Sequence, residues 1–155
     1  MGKILVPEIL TEFIEKETET LGYQIVDIRA KGGYRGVSLE IIIDKKDGIT
    51  LGECGKFNKS IRSFIYKEKI FVNGYMLDVC SPGLDKELVS DTAFKWALGK
   101  QIIIIMKEPF EGKSEIIGKL LTGNMKEIEV LEDTQNVIMR IDRNDVAKVK
   151  LKVVL

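Results

Sequence analysis

Between Tyr75 and Leu88 an alternating segment runs into a Pro-Gly pair, and this break constrains the fold more than any other stretch of the chain. Tyr75, Leu77, Val79 and Ser81 fall on one side of an extended chain and Met76, Asp78 and Cys80 on the other, which is the two-residue period of a strand. Pro82 has no amide hydrogen to give to a ladder, and Gly83 frees the turn that follows, so pairing stops there. The patterning also changes across the break. Helix-like and strand-like segments alternate before it, and short strands follow one another after it. The expectation is an N-terminal α/β domain over 1–88, a linker with a short helix over 89–99, and a β domain over 100–155.

In the first part, Ile9, Leu10, Phe13 and Ile14 recur at helical spacing among glutamates, which predicts an amphipathic helix over about 3–20, closed by Gly22. Tyr23 to Lys31 and Val37 to Asp44 then alternate as two strands, with a turn expected at Gly32-Gly33. Thr50-Leu51-Gly52-Glu53 has the spacing of a capping box, so a second helix begins near Leu51. Its apolar stripe is Cys54, Phe57, Ile61, Phe64 and Ile65, and Lys56, Lys59 and Arg62 fall outside it. Gly52 and Gly55 weaken the first turn of that helix. With the strand at 75–81 the order is α-β-β-α-β, an α+β sandwich of two helices on a three-stranded sheet. This order resembles small RNA-binding modules of the KH type, although the GXXG clamp of a KH domain is missing between the two helices.

Beyond Leu88, Ser90 or Asp91 can cap a short helix ending at Leu98 and Gly99, with Phe94 and Trp96 read as packing residues. Strands are expected at 101–107, 115–122, 126–132, 135–141 and 146–153. So many short strands in so little chain predict a small barrel, because curling a sheet limits its exposed edges.

Composition excludes several functions. The 155 residues contain no histidine, which removes the commonest general base and every Ser-His or Cys-His nucleophile pair. No Walker or dinucleotide loop is present, and Asp44-Lys45-Lys46-Asp47-Gly48 lacks the ligand spacing of a calcium loop. Cys54 and Cys80 are too few and too far apart in sequence for a disulfide framework or a zinc knuckle. No catalytic residue, metal site or cofactor is therefore predicted. The longest wholly apolar run, Ile102 to Met106, falls far short of the roughly 20 residues of a membrane helix, and the expected location is the cytoplasm.

Lysine and arginine balance aspartate and glutamate at 24 each, yet their distribution is uneven. Residues 1–28 hold two basic and six acidic side chains, whereas residues 29–69 hold ten basic and five acidic ones. Such a split can steer one face toward phosphate, although an ordinary solvated surface also produces charge patches.

The segment Asp78 to Leu88, D-V-C-S-P-G-L-D-K-E-L, resembles the signature E-V-S-S-P-G-L-D-R-P-L of the bacterial ribosome maturation factor RimP family. Cys80, Lys86 and Glu87 depart from it, and Lys86 keeps the charge of arginine without its planar fork. Gly22 to Ile28 is similar to the first strand of that family. Ile43-Asp44-Lys45 with Gly48-Ile49-Thr50-Leu51 is similar to its approach to the second helix. The resemblance implies an N-terminal α/β domain, a C-terminal SH3-like or Sm-like barrel, and action in maturation of the small ribosomal subunit. It also implies contact with small-subunit rRNA and the twelfth small-subunit protein near the future decoding region.

The first reading is thus a non-enzymatic assembly factor, with nothing in the sequence demanding a dimer. Lys45, Lys46, Lys56, Lys59 and Arg62 are its candidates for phosphate contact, and Ser81, Gly83, Leu84, Asp85 and Lys86 for the interdomain turn and partner contact. A stand-alone Sm-like RNA-binding or RNA-chaperone module is the alternative, weakened by neutral net charge and only 7% aromatic residues. A carboxylate enzyme ranks last, because no acid/base pair stands out.

Overall fold

The computed structural model describes residues 6–33, 36–83 and 86–152. The chain divides into two compact units, Met1–Pro82 and Gly83–Leu155.

In the first unit α1 (Glu8–Leu21) is followed by β1 (Gln24–Gly33), β2 (Gly36–Asp44), α2 (Leu51–Lys67) and β3 (Tyr75–Cys80). Gly22 ends α1 with φ 76°, where the Gly22 and Tyr23 amides return to the Glu19 and Thr18 carbonyls. The sheet runs β1-β2-β3, with β1 antiparallel and β3 parallel to the central β2. Gly32 and Gly33, expected as the turn, are paired opposite Val37 and Gly36, so the connection falls at 34–35, outside the described residues. Glycine serves the other partner of that pair for a steric reason. Gly36 has φ 106°, and a Cβ there would stand 2.1 Å from the Gly74 carbonyl oxygen.

The core forms where α1 and α2 cover one face of the sheet. Leu10 and Ile14 come from α1, Cys54, Phe57, Ile61 and Ile65 from α2, and Leu39, Ile41, Ile43 and Leu77 from the strands. Phe13 and Phe64 stack at 4.1 Å between centroids, joining the two helices directly. The apolar spacings read from the sequence are therefore the spacings that are buried, except at Ile9, which is 46% exposed.

The second unit contains α3 (Asp91–Ala97), β4 (Gln101–Phe110), β5 (Lys113–Gly123), β6 (Glu127–Glu132), β7 (Ile138–Asp142), the single-turn 3-10 helix Arg143–Asp145, and β8 (Val146–Leu151). Ser90 caps α3 by accepting from the Ala93 amide. This helix was expected in a linker, but Phe94 and Ala97 are fully buried, and Phe94 lies so close to Gly123 of β5 that a Cβ would meet its ring at 2.8 Å. Trp96 is also buried, as the packing reading required.

The five strands pair antiparallel in the order β7-β6-β5-β4-β8, which places the last strand beside the first. Among the described residues no ladder joins β7 to β8, so the sheet is not closed by hydrogen bonds there. β4 and β5 are longer than expected because Glu111 and Gly112, at φ 50° and 81°, make a two-residue turn with positive φ at both positions. Pro109 is accommodated inside β4 by the register shift between Ile105 and Phe110.

The turn after β6 is held by a buried carboxylate. Glu132 is 3% exposed, accepts from the Gln135 amide at 2.6 Å and pairs with Lys113 Nζ at 3.1 Å. The Gln135 amide is the first cause that holds this carboxyl down at about 2, with the Thr134 amide and Lys113 adding to it against the opposing effect of burial. β7 therefore starts three residues later than the apolar pattern indicates.

Candidate nucleic-acid interface

The first turn of α2 is locked by side chains. Thr50 Oγ1 accepts from the Glu53 amide at 3.1 Å, and Glu53 Oε1 accepts from the Thr50 amide at 2.9 Å. Lys45, immediately after β2, places Nζ 2.5 Å from Glu53 Oε2. The lysine contact is the leading cause that lowers the Glu53 carboxyl to about 2, and the Thr50 amide is the next. Glu53 in return raises the Lys45 ammonium. Tyr23 completes the group, its phenol raised first by burial and then by Glu53.

This arrangement separates the expected phosphate ligands. Lys45 is committed to Glu53. Arg62 donates from Nε to Asn58 Oδ1 at 2.7 Å and from Nη2 to the Leu77 carbonyl at 3.3 Å, and its guanidinium lies 5.5 Å from the Tyr75 ring centroid. It fastens α2 to β3. Lys46, Lys56 and Lys59 are exposed, and the last two share the outward face of α2 with Gly52, Ser63 and Tyr66 at spacings of three and four residues. Glu53 is the sole carboxylate in α2, and it points to Lys45 and Thr50, so no carboxylate offsets that face from within the helix.

The turn residues fare differently. Ser81 and Gly83 are exposed, and Leu84 and Asp85 lie outside the described residues. Lys86 is 9% exposed, and its carbonyl accepts from the Leu151 amide at 2.8 Å, which builds it into the second unit. Among the described residues no group of three or more acidic or cysteine side chains is arranged to hold a metal ion.

A family model described as the RimP N-terminal domain matches residues 13–85, from the second turn of α1 through α2 and β3 to just past the Pro82-Gly83 pair. Residues 13–85 are thus a RimP-type N-terminal domain. RimP proteins are ribosome maturation factors, and the matched residues contain every described cation of the α2 face. No described helix is long and apolar enough to cross a membrane.

Sequence patterning had not marked Asn58, Tyr66 or Glu132. Asn58 reaches Leu77 and Glu132 pairs with Lys113, each 19 residues away, which no local spacing announces. Tyr66 carried a signal: it is an aromatic residue seven positions after Lys59, away from the apolar stripe.

Acid sensitivity follows from the two depressed carboxyls. Both have folded values near 2 against 4.5 in an open chain, so each favours the folded state above about 4.5 and loses that contribution as pH falls toward 2. Melting temperature is expected to be flat above about pH 5 and to fall below it. Glu53→Gln and Glu132→Gln should each lower the neutral plateau and shallow the acid decline, and thermal unfolding across pH 2 to 7 is the check.

Proposed function

We propose that this protein is a non-enzymatic factor that docks on the precursor of the small ribosomal subunit in the cytoplasm and assists its assembly through rRNA and ribosomal-protein contacts. The reading rests on the match of residues 13–85 to the RimP N-terminal domain together with an outer face of α2 that carries cations and no carboxylate of its own. Lys46, Lys56 and Lys59 meet rRNA phosphates, which attract exposed ammonium groups and release counterions on contact. Lys45 and Arg62 support that surface, the first by fixing the start of α2 and the second by tying it to β3.

The partner protein in this reading is the twelfth small-subunit protein, met near Ser81 and Gly83 or by the second unit. A curled, SH3-like or Sm-like sheet in that unit accords with the β7-β6-β5-β4-β8 order and the bulges in β4 and β5. Assistance requires tighter binding to the immature particle than to the finished one, because equal affinity for two states shifts neither.

The triple variant Lys46→Glu, Lys56→Glu and Lys59→Glu is expected to bind free small subunits at least tenfold more weakly. Its dependence of log affinity on log salt should be shallower by about three. All three side chains are exposed, so thermal stability should hold. Co-sedimentation with free small subunits, complete ribosomes and naked rRNA over a salt series tests this. Preference for free small subunits, lost in the variant, supports the reading, and wild-type binding by the variant overturns this placement of the interface.

A further inference from the structure

Tyr66 stands apart from the other aromatic residues. It is 87% exposed, whereas every other described Phe, Tyr or Trp is buried or half-buried, and six of them form ring pairs: Phe13 with Phe64, Tyr23 with Phe57, and Phe71 with Tyr75. Nothing in the core calls for a ring there. Its place on α2 is specific: it shares the outward face with Lys56 and Lys59, at about 15 Å and 10 Å from them along the axis at the helical rise of about 1.5 Å per residue. Lys67 is the next residue and is also exposed.

We infer that the Tyr66 ring is a stacking platform for an unpaired rRNA base, at the end of a phosphate track whose cations are Lys56 and Lys59. The inference rests on the RNA-facing reading of α2 and specifies the kind of RNA that fits it. Ammonium groups hold phosphates of either paired or unpaired RNA, but a ring standing out of a helix gains a partner only where a base has left its own stack. Charge complementarity selects RNA over a protein partner. Along this face the ring is the one apolar group, Leu51 standing exposed at the opposite end of α2, so an acidic protein finds little apolar surface beside the cations, whereas lysines and an aromatic residue in line match phosphates and a base.

The full chain and its variants can be titrated with a short unpaired RNA, with the same sequence as a complete duplex, and with free small subunits. Tyr66→Ala is expected to weaken binding to unpaired RNA and to small subunits by about tenfold and to leave duplex binding unchanged. Tyr66→Phe keeps the ring and should bind within about twofold of the parent. In neither case should the salt slope change, because no charge is removed. Circular dichroism verifies that the exposed position leaves the fold intact.

If Tyr66→Ala binds like the parent while the triple lysine variant is weakened, stacking is overturned and the RNA-facing reading stands. If neither variant is weakened, both fall. Loss of small-subunit binding without loss of unpaired-RNA binding assigns Tyr66 to a protein contact and also overturns stacking.

Discussion

Gly118→Ala is expected to destabilise the second unit by on the order of 3 kcal/mol or more, lowering its melting temperature by more than about 10 °C. In β5 a Cβ at this position would stand 2.1 Å from the Leu131 carbonyl oxygen, 2.8 Å from its carbon and 2.9 Å from Val130 Cγ2. The first two atoms are backbone of the neighbouring β6, paired with β5 through Gly118 and Glu132 on one side and Leu120 and Val130 on the other. Neither strand can withdraw without breaking that ladder, and β5 is also held by β4. Trp96, the only tryptophan, is buried in α3 of the same unit, so its fluorescence reports the transition directly. An unchanged midpoint in that signal would show that the strands open at little cost and would overturn the prediction.

Phe57→Ala should be comparably severe in the first unit, at about 3–5 kcal/mol. Phe57 is 1% exposed, is among the largest fully buried side chains, and meets the Tyr23 ring edge-on at 6.0 Å. Truncation removes burial, leaves a cavity under the middle of α2, and dissolves an aromatic pair worth about 0.5–1.5 kcal/mol beyond its area. Urea unfolding followed by far-ultraviolet circular dichroism measures it. The expected result is a lower midpoint with the slope preserved, and a loss below about 1 kcal/mol would mean that the core collapses around the gap.

These two positions also show what was readable from the chain. Phe57 was legible, because helical period alone places it among Cys54, Ile61 and Ile65, and the Thr50–Glu53 box fixed where that helix begins. Gly118 was not, because its need arises from a strand that approaches it from more than ten residues away. The same division runs through the site. The cations of α2 could be placed off the apolar stripe by counting, but which of them were engaged depended on Glu53 for Lys45 and on Asn58 and Leu77 for Arg62. Gly32 and Gly33 misled for a related reason. Glycine permits a turn without compelling one, and pairing with Val37 and Gly36 carried the strands past them.

The bonds from Asn58 and Arg62 to the Leu77 carbonyl reach beyond anchoring α2. β3 is the outer strand of its sheet, and an outer strand is a template on which another chain can add its own. Here the middle of that rim is already occupied by an amide at 3.3 Å and a guanidinium at 3.3 Å. A visiting strand would have to displace both before it could pair at Leu77. The side chains that hold the helix down thus also blunt the middle of this edge of the sheet against adhesion to other strands.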